Sequence, residues 1–207
     1  MRFLFQGDSI TDAGRNYSDD AAMGRGYPTI TAAQLGLKYP GRFEFINRGI
    51  SGNRVVDLYQ RIKADFINLK PDALSILIGV NDVWHELAWQ NGVDAKKYER
   101  VYGWLVDELQ EALPQLKIIL LEPFTLPGSA NEQYYDQFRY ETELRAAAAK
   151  RVAESHSLPF VKLMEKFDKA AAESSPELWL SDGVHPTAAG HGLISSVLIP
   201  EIEKLLK

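Results

Sequence analysis

Short apolar segments alternate with longer segments of helical periodicity, and this alternation constrains the fold of the chain more than any other feature. The apolar segments are rich in Ile, Leu, Val and Phe and have the length of β-strands. Strands that alternate with helices predict βαβ units and a parallel sheet, hence an α/β fold. The predicted strands cover residues 2–6, 43–47, 73–78, 117–122 and 159–163. The third is apolar on both faces, as expected for a central strand covered by helices.

Helices are predicted between the strands, where apolar residues recur at steps of three and four. The clearest stripe predicts one helix over residues 55–69, with Asp57, Arg61 and Asp65 facing water. Residues 126–133 contain Pro and Gly and are expected to form a mobile loop. The remaining predicted helices cover residues 27–35, 94–113, 134–155 and 187–206.

Length and composition limit the classes of protein that fit. A chain of 207 residues suits a single domain spanning residues 1–207. Lys and Arg total 23 against 28 Asp and Glu, and a net charge of -5 does not favour a nucleic-acid partner. The chain has no cysteine, which excludes disulfides and Cys-ligated zinc and suits a reducing compartment. With no apolar run approaching a signal peptide or a membrane span, we expect a cytoplasmic protein without a membrane partner.

Polar clusters occupy the positions where ligands of parallel sheets bind, beyond the carboxyl ends of the strands. Gly-Asp-Ser-Ile-Thr at 7–11 follows the first predicted strand, and Gly-Ile-Ser-Gly-Asn at 49–53 follows the second. Gly-Val-Asn-Asp at 79–82 follows the third, and Asp-Gly-Val-His-Pro at 182–186 precedes the last predicted helix. These clusters are the candidate functional site.

Ser9 is a candidate nucleophile because a serine between a strand and a helix exposes its hydroxyl at the edge of the sheet. A hydroxyl nucleophile needs a base, and the Asp182-x-x-His185 pair can supply an imidazole oriented by a carboxylate. The alternatives are a helix cap for Ser9 and a surface position for His185 beside Pro186.

Gly52 and Asn81 are candidate donors to the oxygen that becomes negative when a carbonyl is attacked. The backbone N–H groups of Ser9 and Gly52, together with the Asn81 amide, would form such an oxyanion hole. Turn formation explains both residues equally well in isolation, because Gly and Asn are frequent turn residues.

The segments 7–11, 79–82 and 182–186, in this order and spacing, closely resemble the signatures of the SGNH hydrolase superfamily, also called GDSL-type lipases and esterases. The resemblance spans nearly the whole chain. It implies a three-layer α/β/α sandwich of the flavodoxin-like type with a five-stranded parallel sheet, in agreement with the strands predicted above.

The resemblance also implies a role for each candidate residue. Ser9 would be the nucleophile, His185 the general base and then acid, and Asp182 the residue that orients His185. Ser9, Gly52 and Asn81 would form the oxyanion hole. The reaction implied is acyl transfer through an acyl-serine ester that water hydrolyses, with no metal or organic cofactor.

Within the superfamily the chain is most similar to intracellular carbohydrate esterases that remove acetyl groups from xylan-derived oligosaccharides. Those enzymes tend to carry Trp directly before the catalytic Asp, where this chain has Ser181. They are often oligomers, so a homo-oligomer is one expected arrangement. The motifs that carry this likeness are Gly-x-Gly-Tyr at 24–27 and the segments 49–53, 81–84 and 122–124.

Four residues near these motifs are candidates for substrate binding. Trp84, Tyr27 and Phe124 could stack on a pyranose ring or wall off a small acyl pocket, and the alternative is packing in the core. Asp8 beside Ser9 is the fourth candidate, with a structural hydrogen bond as its alternative. A metal or phosphotransfer site at Asp8 and Asp12 is disfavoured because aspartyl phosphatases carry a second Asp where this chain has Ile10.

The sequence therefore predicts a serine esterase that hydrolyses short-chain, chiefly acetyl, esters on a small-molecule or oligosaccharide substrate. A lipid acylhydrolase or a thioesterase on the same scaffold is the first alternative. A binding module that has lost turnover is the second, and the presence of every candidate catalytic residue argues against it.

Overall fold

Five parallel strands form the centre of the computed structural model, which describes residues 1–206. Every predicted strand is confirmed, with the order β2-β1-β3-β4-β5 across the sheet. This order reverses direction between β1 and β3, and in parallel sheets ligands bind at such a reversal. The last strand is shorter than predicted, because only Phe160 and Val161 pair with β4. The strands are β1 (Arg2–Gly7), β2 (Glu44–Asn47), β3 (Ala73–Leu77), β4 (Lys117–Leu121) and β5 (Phe160–Val161).

Helices cover both faces of the sheet, which confirms the three-layer α/β/α sandwich. The predicted helices at 27–35, 94–113, 134–155 and 187–206 are found with ends that differ by three residues or fewer. Three short helices, α1, α5 and α8, are absent from the predicted set. The helices described are α1 (Ser9–Asp12), α2 (Tyr27–Lys38), α3 (Val55–Gln60), α4 (Ile62–Asp65), α5 (Val80–Trp89), α6 (Ala95–Ala112), α7 (Tyr135–Ser155), α8 (Met164–Ala172) and α9 (Ala188–Lys204).

Alternate residues of each strand point to opposite faces of the sheet and build two apolar layers. Phe3 and Phe5 of β1 pack in the layer that includes residues of α2, α8 and α9. Leu4, between them, packs in the layer that includes residues of α3, α6 and α7. All three side chains are fully buried. The sheet therefore holds the ends of its strands rigidly below the polar clusters.

The single helix predicted over residues 55–69 is wrong, because the chain breaks it at Arg61. The segment forms α3, α4 and a 3₁₀ turn at Ile67–Leu69 instead. Arg61 was expected to face water, yet its side chain is only 12% exposed. Its guanidinium donates to the carbonyl oxygens of Gly7 and Arg48 and to Asn53 Oδ1, at 3.3, 3.0 and 2.8 Å. These hydrogen bonds place the Arg61 guanidinium beneath the polar clusters, and α3 ends at the residue before it.

The segment expected to form a mobile loop, residues 126–133, is held in place. Leu126 and Asn131 are 2% and 1% exposed. Backbone hydrogen bonds tie Leu126 to Gly183 and Ala130 to Asp182, at 3.0 and 2.9 Å. Across residues 1–206, no helix is both long enough and apolar enough to cross a membrane.

Candidate active site

Ser9 begins α1, a single helical turn that follows β1 directly. Gly7 makes the close approach of β1 and β3 possible, because a Cβ atom there would lie 2.3 Å from the Leu77 carbonyl oxygen. Asp8 caps the turn, since its Oδ1 accepts the Ile10 N–H at 2.9 Å. Strand, glycine and cap together fix Ser9 at the carboxyl edge of the sheet.

Hydrogen bonds connect Ser9, His185 and Asp182 in series. Ser9 Oγ lies 2.9 Å from His185 Nε2, and His185 Nδ1 lies 2.7 Å from Asp182 Oδ2. The other carboxylate oxygen, Asp182 Oδ1, accepts the backbone N–H groups of Val184 and His185 at 2.9 and 2.7 Å. When Nδ1 carries its proton towards Asp182, Nε2 presents a lone pair to the Ser9 hydroxyl.

The interactions within this series lower the pKa of Asp182 and raise the pKa of His185, and both shifts favour the ion pair. Burial acts to raise the pKa of Asp182, but hydrogen bonds from the side chain and backbone of His185 and from Val184 lower it to about 2. The hydrogen bond to Asp182 raises the pKa of His185, against a smaller effect of burial. At neutral pH Asp182 is therefore ionised and His185 is a stronger base than a free imidazole.

Unpaired donors lie on the strand–helix turns that follow β1, β2 and β3. Neither the Ser9 N–H nor the Gly52 N–H donates to another described residue. Gly52 has φ +82°, and a Cβ atom added there would have nothing within 4 Å, so the space before it is open. The Asn81 side chain is 4% exposed and uses one Nδ2 hydrogen on the Asn53 carbonyl oxygen at 3.1 Å, which leaves the other hydrogen free.

Two anchors that sequence reasoning missed hold the Gly52 turn against α1. Asp12 Oδ2 accepts the backbone N–H and the hydroxyl of Ser51 at 3.1 and 2.7 Å. Arg61 is the second, through its bonds to Gly7 and Asn53. The position of Asp12 one turn after Asp8 was an available signal; Arg61 had none, because the periodicity assigns it to the water-facing side.

This arrangement has the groups that a serine needs in order to become acylated. They are a hydroxyl, an imidazole that can act as a base beside it, and nearby hydrogen-bond donors that have no partner among the described residues. Trp84 of α5 lies against the candidate base, with its ring centroid 5.8 Å from that of His185. The Trp84 ring also meets Phe138 edge-on at 6.3 Å.

Residues 5–193 match the GDSL-like lipase/acylhydrolase family. The chain belongs to this family. It is accordingly a carboxylic ester hydrolase, and the expected superfamily resemblance is confirmed.

Curated and solved relatives cover nearly the whole chain. It is 36% identical over 211 residues to an acetylxylan esterase from Geobacillus stearothermophilus, with 97% of this chain and 93% of the relative aligned. A crystal structure of an acetylxylan esterase from that organism has a TM-score of 0.87 at 35% identity, covering 97% of this chain and 93% of its own. An alpha/beta hydrolase enzyme from the metagenome of Lake Arreo, Spain, has a TM-score of 0.86 at 32% identity, covering 96% and 93%. Two further crystal structures of the Geobacillus enzyme are of catalytic mutants, one with a serine and one with an aspartate replaced by alanine.

Two of the predicted substrate-binding residues of this GDSL-family chain are packing residues. Tyr27 and Phe124 are both fully buried. The Tyr27 hydroxyl shares a hydrogen bond with Thr11 Oγ1 at 3.0 Å, and the Phe124 ring stacks on Phe167 at 4.3 Å. Neither side chain presents a surface to a substrate, so the packing alternative replaces the binding interpretation.

Asp8 is likewise a structural residue, at 1% exposure. Its Oδ2 is buried without a hydrogen-bond partner. Burial raises the pKa of Asp8 to about 7, against the lowering effect of the Ile10 N–H and of His185. The hydrogen bond to Ile10 is the alternative that the sequence left open. Of the four binding candidates, only Trp84 is both partly exposed and in ring contact with a candidate catalytic residue.

Proposed function

We propose that this family member is a serine esterase that removes acetyl groups from short xylan-derived oligosaccharides through an acyl-Ser9 intermediate. The observation that carries the proposal is the unbroken hydrogen-bond series from Ser9 Oγ through His185 to Asp182. A series of this kind activates a hydroxyl by giving its proton an acceptor at the moment of attack.

Acylation of Ser9 is the first step of the proposed reaction. Ser9 Oγ forms a bond to the ester carbonyl carbon while its proton moves to His185 Nε2, and Asp182 stabilises the imidazolium formed. The carbonyl oxygen becomes negative and takes hydrogen bonds from the Ser9 N–H, the Gly52 N–H and the Asn81 amide. The carbon–oxygen bond to the alcohol then breaks, and the departing sugar oxygen takes the proton from His185.

Deacylation repeats the same proton transfers with water as the nucleophile. Water attacks the acyl carbon and gives a proton to His185 Nε2, and the same three donors bind the negative oxygen. The bond from the acyl carbon to Ser9 Oγ breaks, and Ser9 Oγ recovers the proton from His185. The products are a carboxylic acid, the free sugar hydroxyl and the original enzyme.

The carbohydrate part of the proposal rests on the relatives and on Trp84. An acetylxylan esterase aligns over 97% of this chain. The partly accessible face of Trp84 beside His185 offers an aromatic surface on which a sugar ring can stack.

Hydrolysis of 4-nitrophenyl acetate, butyrate and octanoate, followed by acetate release from acetylated xylo-oligosaccharides, tests the proposal. We expect turnover of acetate to exceed that of octanoate, to vanish in Ser9→Ala and to persist in the control Ser196→Ala, whose hydroxyl is exposed on α9. A maximum on octanoate would favour the lipid or thioester alternative. Turnover that survives in Ser9→Ala would remove the acyl-serine step.

Three further parts of the proposal concern the organisation of the protein. We propose one domain over residues 1–207, since both apolar layers share one sheet; Lys207 lies outside the described residues. A cytoplasmic location is supported by the absence of cysteine. Exposed aromatic side chains such as Trp104 and Tyr140, at 50% and 60%, support a homo-oligomer, which light scattering would test.

A further inference from the structure

The segment that follows β4 folds directly against the turn that carries Asp182. The Leu126 N–H donates to the Gly183 carbonyl oxygen at 3.0 Å, and the Ala130 N–H donates to the Asp182 carbonyl oxygen at 2.9 Å. The fit leaves no space between the two backbones: a Cβ atom at Gly128 would lie 2.3 Å from the carbonyl carbon of Asp182. Gly128 must therefore be a glycine for the contact to exist.

Two buried side chains complete this contact. The Thr125 hydroxyl, fully buried, donates to the Gly183 carbonyl oxygen at 2.8 Å. The Asn131 amide, 1% exposed, donates to Thr125 Oγ1 and to the Leu126 carbonyl oxygen at 2.9 Å each. Asn131 Oδ1 accepts the Gly128 N–H at 3.0 Å. Asn131 thus directs the Thr125 hydroxyl towards Gly183, whose carbonyl oxygen at 2.8 Å is a closer acceptor than that of Leu126 at 3.4 Å.

The conformation of this turn depends on Gly183. Gly183 adopts φ +92°, a backbone conformation that a glycine reaches without steric cost but also leaves easily. Asp182 Oδ1 spans the turn to the N–H groups of Val184 and His185, so a rotation of the Gly183–Val184 peptide would withdraw the Val184 N–H and loosen the carboxylate beside the ring. The Gly183 carbonyl oxygen belongs to this peptide and accepts both the Thr125 hydroxyl and the Leu126 N–H, so it is the point at which the peptide is restrained.

We propose that Thr125 and Asn131 are positioning residues for the catalytic pair, which hold the Gly183–Val184 peptide so that the Asp182 carboxylate stays aligned with His185. The inference rests on the proposed function for its kinetic consequence, whereas its structural consequence is measurable without any substrate. Neither residue touches Ser9, His185 or the reacting atoms, so both act through the turn.

A residue that served only to stabilise the fold would leave the His185 pKa unchanged in the folded protein. A positioning residue would not, because the hydrogen bond to Asp182 is the main cause that raises the pKa of His185. The charged and titratable groups that act on His185 are Asp182, Asp8 and His191. Thr125 is uncharged, so replacing it by valine alters none of these charges and changes the pKa only by moving Asp182.

The test is the substitution Thr125→Val, with Thr125→Ser as the conservative variant. Valine has the shape of threonine without its hydroxyl, and serine keeps the hydroxyl. Thr31→Val is the matched control, because Thr31 is also fully buried and its hydroxyl also bonds a segment distant in sequence, at Ser195 Oγ of α9, 2.9 Å away. The ring protons of His185 are titrated by NMR in each folded variant, and kcat and KM are measured on 4-nitrophenyl acetate.

In Thr125→Val we expect the His185 pKa to move down towards that of an ordinary imidazole and kcat to fall about tenfold to a hundredfold, with KM little changed. Thr125→Ser should restore both quantities, and Thr31→Val should leave both at the wild-type value while it lowers thermal stability. Asn131→Ala, which frees the Thr125 hydroxyl to turn away, should resemble Thr125→Val and serves if the valine variant does not fold.

A His185 pKa and a kcat that stay at the wild-type values in a folded, destabilised Thr125→Val protein would overturn the inference. Absence of esterase turnover in the wild type would instead count against the proposed function. The NMR titration would still decide whether Thr125 and Asn131 hold the pair.

Discussion

Ser9 Oγ and His185 Nε2 lie 2.9 Å apart, although 176 positions separate the two residues in the sequence. The turn after β1 delivers the hydroxyl, and the turn before α9 delivers the imidazole. Only the neutral imidazole has a lone pair for the Ser9 proton, so in the proposed mechanism the protonation state of His185 controls the reaction.

Activity should rise with pH as His185 loses its proton. The bond to Asp182 raises the His185 pKa above its ordinary value of 6.5, so kcat/KM should fall on the acid side of a midpoint that lies above that value. The profile is measured between pH 5 and 9 on 4-nitrophenyl acetate. A flat profile from pH 5 to 8 would contradict a histidine base.

Asp182→Asn should lower kcat by about 10³–10⁴ and move the acid limb of the profile down, because the amide neither holds the imidazolium nor fixes the tautomer. Asp136→Asn, at an exposed position in α7, is the control and should leave both unchanged. Equal profiles for the two variants would remove Asp182 from the mechanism.

Asn81→Ala should lower kcat about 10²–10³-fold with little change in KM, because the amide is expected to bind the oxyanion more strongly than the ground-state carbonyl. Asn68→Ala, exposed in the 3₁₀ turn after α4, should behave as wild type. Turnover of Asn81→Ala within threefold of wild type would exclude this donor.

Trp84→Ala should raise KM for acetylated xylo-oligosaccharides roughly tenfold, the loss expected for one aromatic contact of about 1.5 kcal/mol. KM for 4-nitrophenyl acetate should change less. Trp104→Ala removes an equally large, half-exposed ring from α6, where its ring neighbour is Tyr59 and not a candidate site residue, and should leave both KM values in place. Parallel losses in the two variants would point to general destabilisation.

Asp8→Asn should stabilise the protein at pH 8 and have no such effect at acid pH. The folded-state pKa of about 7 exceeds the ordinary value of 3.8, so the folded protein holds a proton that the unfolded chain releases. Stability from this carboxyl is therefore present below pH 3.8 and is lost as pH rises to about 7. Melting temperatures at pH 5 and pH 8 measure the effect, and a gain of equal size at both would contradict a buried, titrating carboxyl.

The sequence was a good guide to the sheet and to the candidate site because both depend on local patterns. Strands such as 73–78 are apolar throughout, and the turns that carry Ser9 and Asn81 follow strands directly. Residues brought in by tertiary contact left no such pattern. Arg61 falls on the water-facing side of a segment with helical periodicity, yet its bonds to Gly7 and Asn53 accompany a break in that helix.

The sequence also could not predict which aromatic residues are buried. Tyr27 and Trp84 both lie close to signature motifs, but Tyr27 packs under α1 and Trp84 lies beside His185. The helix α8 was missed because only Met164 and Phe167 of its nine residues are buried, too few to show a period.

The positions of Ser9 and His185 in the sequence determine when the candidate site can first be complete during synthesis. A ribosome adds about 5–20 residues each second, so roughly 9–35 s separate the appearance of Ser9 from that of His185. Through that interval β1 can already pair with β2 and β3, while the hydroxyl has no base. Under the proposed mechanism the nascent chain therefore presents Ser9 without its base, and hydrolytic competence requires the turn that carries His185.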